Sequence, residues 1–231
     1  MRIVCWVIVA SIPAIIVSQA VSGVLRAERK ARCVTNLKEL GLGLHNYESE
    51  HGHFPAAAIV GTAGKPLLSW RVELLPYLGE RDLYEQFHRD EPWDSPHNLA
   101  LISRMPAVYA CPSEPDRTRG VTRYQGIVGP RAGLGVIGAM FEPARGIDIR
   151  EITDGASNTV MVAEAGGPVV WTKPEDLRFE QDGLLPSFGS RHGTGCNALF
   201  ADGSVRLLRF TIGPAVLRGI LTRDGGEVLS A

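Results

Sequence analysis

Three groups of side chains in this 231-residue sequence have types and spacings that could do chemistry. His51-Gly-His53 presents two imidazoles at the end of an expected helix. His192 precedes Asp202-Gly203, and Asp154-Gly155 precedes Asn158. Together with Asp148, these offer carboxylates and a ring nitrogen to a cation. A calcium loop needs alternating Asp/Asn ligands within twelve residues, and none is written here. Imidazoles at a helix C-terminus also sit well against its dipole, and Asp-Gly is a turn former. A structural role is therefore expected for His192, Asp202, Gly203, Asp154, Gly155 and Asn158, with no metal and no cofactor. Ser190-Arg191-His192 lacks the strand-turn-helix setting of a nucleophile elbow. No phosphate-binding loop, dinucleotide fingerprint or His-Glu-x-x-His is present, so a non-catalytic protein is expected. Trp70, Trp93 and Trp171 are candidates for a carbohydrate platform, weighed against the commoner fate of buried rings with a bonded indole N–H.

Charge and cysteine content narrow the classes further. The formal net charge is -1, and Arg2, Arg26, Arg29, Lys30 and Arg32 all fall in the first 32 residues against Glu28. The remainder is mildly acidic with no basic stripe, which argues against nucleic acid as a partner. Of the four cysteines, Cys5 lies in an apolar run. Cys33, Cys111 and Cys196 remain, an odd number in which one pair is possible and the spacing does not say which. None forms a C-x-x-C pair, so a structural zinc site is not expected.

The element that must position these groups is a helix from Ile3 to about His51. Ile3 to Leu25 is 23 residues without a charge. At 1.5 Å per residue that is about 34 Å, enough for a hydrocarbon core of roughly 30 Å. A cleaved signal peptide ending at Ser18-Gln19-Ala20 is the alternative, disfavoured because there is almost no basic start and apolar character runs on to Leu25. Beyond it, Val34, Leu37, Leu40/Gly41, Leu44 and Tyr47 share one helical face. Gly52 supplies a left-handed cap, and Pro55 prevents resumption. The expected organisation is a transmembrane anchor over 1–30 and one domain over 31–231.

After a turn-rich connection, short helices are expected from Ser69, over Glu80 to Phe87, and from Ser95-Pro96 to Pro106. Strands follow at Tyr124–Val128, Thr159–Glu164, Val169–Thr172, Asn197–Ala201 and Ser204–Phe210. Asp202-Gly203 is expected as a two-residue hairpin turn between the last two. Short spacing without long intervening helices predicts an antiparallel sheet. The fold class is α+β: a long N-terminal helix across an antiparallel sheet, with a short helical insertion.

A half-apolar spine helix on such a sheet resembles type IV pilins and the pseudopilins of secretion systems. RCVTNLKELGLGLHNYESEHGHFPAA (Arg32 to Ala57) resembles the hallmark block of a prepilin-like, planctomycete-type family of unknown function. LSWRVELLPYL (Leu68 to Leu78), ITDGASNTVMVAE (Ile152 to Glu164) and VVWTKPEDL (Val169 to Leu177) agree with it. So does the C-terminal signature of His, nine residues and Asp-Gly, here His192 to Asp202-Gly203. Members of that family carry a basic leader followed by Gly-Phe-Thr-Leu-Val-Glu, whereas this sequence begins MRIVCWVIVA. The resemblance thus implies a pilin-like fold, and the departure implies a membrane-anchored singleton more than a filament subunit. The expected function is a membrane-anchored, pseudopilin-like structural or interaction protein. The alternative is an anchored solute- or carbohydrate-binding module. Expected partners are the membrane through residues 3–25 and other pseudopilin-like subunits or envelope proteins. The basic run after the span favours a cytoplasmic body by the positive-inside rule. The resemblance favours a single-pass protein with its body on the exported side, which is the expectation adopted.

Overall fold

The computed structural model describes residues 3–113, 120–130, 137–190 and 193–226, with side chains from residue 21 onward. α1 spans Ile3–His51. Its second half buries Cys33, Leu37, Leu40, Leu44 and Tyr47, a stripe spaced alternately four and three residues apart. Cys33 opens that stripe where Val34 was expected. Val34 sits about 100° further round the helix and is only half-buried. At Gly41 a Cβ would come within 2.8 Å of Leu199 Cδ1, so the missing side chain lets the helix lie close on the sheet. Gly52 closes the helix at φ 74°, its N–H donating to Glu48 O at 2.7 Å.

Between 21 and 32 the helix is exposed almost throughout. Among the described residues, no helix is long and apolar enough to cross a membrane. Most of the Ile3–Leu25 run, including Cys5, falls on residues 1–20, whose side chains lie outside the described ones.

The segment after α1 holds a small antiparallel pair, β1 (Ala58–Val60) and β2 (Pro66–Ser69), where only turns were expected. Gly64, at φ 72°, turns the chain between them. The short helices follow much as their caps announce. Ser69 Oγ accepts from Arg71 N to open α2 (Trp70–Glu73). Next come a 3-10 turn at Leu75–Leu78 and α3 (Arg81–Gln86). Ser95 Oγ accepts from Asn98 N with Pro96 at the first turn of α4 (Pro96–Leu101). Further 3-10 turns at Ile102–Arg104 and Ala107–Tyr109 lead toward the sheet.

The main sheet is β3 (Val121–Val128), β4 (Val160–Val170), β5 (Leu177–Arg178), β6 (Gly195–Phe200) and β7 (Val205–Arg209), in the order β5-β3-β4-β6-β7. It is mixed where an all-antiparallel sheet was expected, because β5 runs parallel to β3. The chain leaving β4 crosses β3 and re-enters beside it, and Asp176 at that crossing is held by Arg71 and Gly126 N. The runs expected as two strands, around Thr159–Glu164 and Val169–Thr172, are one strand. Its extra residues bulge opposite Arg123, between the pairs Thr122↔Val169 and Tyr124↔Glu164. Arg123 Nη1 donates to Ala165 O and Gly166 O, and Gln125 Nε2 to Gly167 O, which satisfies carbonyls the bulge removes from the ladder.

Both faces of the sheet are covered. On one, α1 packs with Tyr124, Met161, Leu199 and Trp171. On the other, Val160, Ala163, Cys196, Ala198 and Phe200 meet Leu217, Ile220 and Leu221 of α5 (Pro214–Leu221). Alternate residues of β6 thereby enter opposite cores, as a strand's two-residue period requires.

Candidate functional site

Asp202 and Gly203 lie in the β6–β7 connection, but as part of a three-residue loop. Leu199 pairs with Val205. Phe200 N donates to Ser204 O and Gly203 N to Phe200 O. Ala201, Asp202 and Gly203 form the loop, with Gly203 at φ 78° as its left-handed residue. The expected two-residue turn thus gives way to the commoner turn-plus-bulge form, in which only the last residue needs positive φ. Asp202 Oδ1 accepts from Ser204 N at 2.9 Å, and Asp202 N donates to Ala156 O at 3.0 Å. His192 lies outside the described residues.

Asp154 is a clamp on the C-terminal segment. Its carboxylate accepts from Gly225 N at 2.7 Å, Gly226 N at 2.8 Å and Thr222 Oγ1 at 3.3 Å. Gly155 takes φ 95°, and Asn158 Nδ2 donates back to Asp154 O at 3.0 Å, closing the local turn. The clamped segment carries Arg223, fully buried, whose Nη2 lies 2.5 Å from Glu142 Oε1. Arg145 binds Glu142 through Nε and Nη2 and Glu151 through Nη1 and Nη2. Asp148 pairs with Arg150 instead, its Oδ2 accepting from Arg150 Nη2 at 2.5 Å. Every carboxylate proposed for a hard cation is thus engaged by N–H donors. Asp202 and Asp154 also lie on different turns, with no shared centre among the described contacts.

The three tryptophans do not make a platform. Trp70 and Trp171 are completely buried. Trp70 Nε1 donates to Asp176 Oδ1, and Trp171 Nε1 to Ile102 O. Trp171 stacks on Tyr109 and meets Phe87 edge-on. Trp93 alone is half-buried, with Lys173 Nζ 5.7 Å from its ring centre. Trp70 stacks on Phe141, so both buried rings serve the core and offer no sugar a face. His51 stacks on Tyr47 at 4.0 Å, and His53 Nδ1 lies 2.9 Å from Phe54 O. Their rings are 6.2 Å apart and turned toward different partners.

A different cluster is formed from residues that the sequence leaves unassigned. Cys33 on α1 and Cys111, just after the Ala107–Tyr109 turn, bring their Sγ atoms to 3.1 Å. Glu164 of β4 completes a trio of donor atoms all within 4.8 Å of one another, each buried. Glu164 Oε2 accepts from Asn197 N at 2.8 Å and Nδ2 at 3.2 Å. Asn36 Nδ2 donates to Ala110 O at 3.0 Å, fixing the loop against the helix one residue from Cys111. The hydrogen bond with Cys111 and burial push the Cys33 thiol far above its ordinary range, and burial does the same to Tyr124 beside it. Both groups are therefore neutral in the folded protein at physiological pH. A sequence signal existed in the helical period. Cys33 lies four, seven and eleven residues before Leu37, Leu40 and Leu44, which places its thiol on the core face. Nothing local marks Cys111 as its partner.

This trio could supply two sulfurs and a carboxylate to a soft cation. Two thiolates about 2.3 Å from a tetrahedral zinc would stand about 3.8 Å apart, however, and these are closer. The arrangement fits better the joining of the two sulfurs.

A family model described as "Protein of unknown function (DUF1559)" matches residues 26–184. No curated protein matches the chain, and no solved structure matches it. The matched stretch includes Cys33, Cys111, Glu164 and Asp154, and ends before the Asp202-Gly203 loop.

Proposed function

This chain belongs to the DUF1559 family of proteins of unknown function, and on that footing we propose that it is a membrane-anchored, pseudopilin-like structural or interaction protein without catalytic activity. The observation that carries the proposal is the state of α1 just before the body begins. Val21, Val24 and Leu25 are 53%, 68% and 45% exposed, and Cys33 is the first buried residue of the helix among the described ones. Apolar side chains exposed along a helix need a cover. The uncharged run Ile3–Leu25 is long enough for lipid to be that cover. The basic residues Arg26, Arg29, Lys30 and Arg32 then sit at the headgroup level, where cationic side chains are favoured. The body is assigned to the exported side, its partners to other pseudopilin-like subunits or envelope proteins.

Labelling of intact cells tests the orientation. Leu184 is 94% exposed, while Cys33, Cys111 and Cys196 are buried, so Leu184→Cys gives one reactive thiol on the body. An impermeant maleimide should modify it without lysis. Modification only after lysis would put the body in the cytoplasm and remove envelope partners from the proposal.

A further inference from the structure

We propose that Cys33 and Cys111 form a disulfide that fastens the root of α1 to the body. Their sulfurs are 3.1 Å apart, inside the roughly 3.5–4.0 Å at which even two carbon atoms rest. Closing to the bonded distance of about 2.05 Å requires movement on the order of 1 Å, within reach of side-chain rotation. The backbone on both sides is already fixed. Asn36 holds Ala110 O, and Tyr109 OH donates to Arg71 O at 2.8 Å. Cys33 is also the first fully buried residue of α1 after the exposed stretch. A bond there closes a loop between positions 78 apart and ties the helix to the loop that follows the Ala107–Tyr109 turn. The odd cysteine count resolves accordingly. Cys196 faces the opposite core, against α5, and burial pushes its thiol up to about 12, so it remains a thiol.

The chemistry is thiol–disulfide exchange with a disulfide donor, either a protein oxidase or oxidised glutathione. One cysteine, as thiolate, attacks a donor sulfur and displaces the first donor thiolate. The other cysteine attacks the mixed disulfide, forming Cys33–Cys111 and releasing the second donor thiolate. Two protons and two electrons leave the pair, and the donor disulfide becomes two thiols. Since both sulfurs are buried in the folded protein, exchange belongs to the folding chain or to local opening, and the finished bond is shielded from reductant.

The test uses the full chain purified in mild detergent, unfolded, and refolded over a series of glutathione redox ratios. Thiols are then alkylated under denaturing conditions and the digest is read by mass spectrometry. The expected result is a Cys33–Cys111 linked peptide that persists into reducing ratios, with Cys196 alkylated throughout. Cys111→Ser should leave Cys33 alkylated at every ratio. The same protein refolded with zinc and no oxidant should show both thiols reactive. Three results would overturn the proposal: Cys33 and Cys111 both alkylated even at the most oxidising ratio, linkage of either to Cys196 or Cys5, or protection that requires zinc and is lost on chelation. Because the assay is done in solution, it stands or fails separately from the assignment of the body to the exported side.

Discussion

Replacing Asp176 by alanine should unfold this protein more readily than any change on its surface. Arg71 is fully buried and Asp176 nearly so, with Nη2 to Oδ1 at 2.6 Å. The same Oδ1 accepts from Gly126 N at 2.7 Å and Trp70 Nε1 at 3.2 Å. The remaining guanidinium N–H groups go to Tyr124 O and Ser69 Oγ. Asp176→Ala would strand a buried cation together with two buried N–H donors. Breaking a buried pair from one side costs about 3–5 kcal/mol. At roughly 2–4 °C per kcal/mol for a chain of this size, the melting temperature should fall by about 6–20 °C. The partner variant decides the mechanism. Arg71→Met together with Asp176→Ala removes the uncompensated charge and keeps the space filled, so it should recover a large part of the loss. Near-UV circular dichroism of the full chain in detergent follows both, since Trp70 sits inside the network. A loss under about 1 kcal/mol for Asp176→Ala, or a double variant as unstable as the two single losses added, would refute the hub.

Other expectations follow from single sites. Gly203→Val should cost about 1–2 kcal/mol from the positive φ alone, because the nearest atom to a new Cβ is His45 Nε2 at an ordinary 3.9 Å. Gly203→Asn should cost less, and equal losses for the two in thermal melts would mean that crowding governs the site. The Arg145 guanidinium holds the Glu151 carboxyl down at about 2. Its folded value is below its unfolded one, so its stabilisation is complete above about pH 4.5 and is lost as pH falls toward about 2. Glu151→Gln should therefore flatten the acid limb of a stability–pH curve, and an unchanged limb would count against the pairing. Reducing the Cys33–Cys111 bond should lower stability by about 4.5 kcal/mol, the chain-entropy value for a loop of 78 residues, read as a shifted denaturant midpoint.

Much of the fold could be read from local signals because local physics decided it. The end of α1 at His51 follows from Gly52, and α2 and α4 start where Ser69 and Ser95 supply caps. What sequence could not give was long-range. β5 lies parallel to β3 because Asp176 is captured by an arginine 105 positions earlier. The β4 bulge is paid in carbonyls that Arg123 and Gln125 happen to satisfy. The mostly apolar segment Pro214–Leu221 is short enough to suit strand or helix, and only the second core decides for α5. The candidate site shows the same division. Asp154, Asn158, Asp202 and Gly203 have turn chemistry and lie in turns, the last two in a three-residue loop where a two-residue one was expected. The pairing of Cys33 with Cys111 and Glu164 joins three distant segments and has no local signature.

The account rests on the first half of α1 lying in lipid, and alkaline carbonate extraction of membranes tests this most directly. The full chain should stay in the membrane pellet, while a variant lacking residues 3–25 should be released into the supernatant with its body folded. A full chain released by carbonate would contradict the anchor, and with it the assignment of lipid as the cover for Val21, Val24 and Leu25.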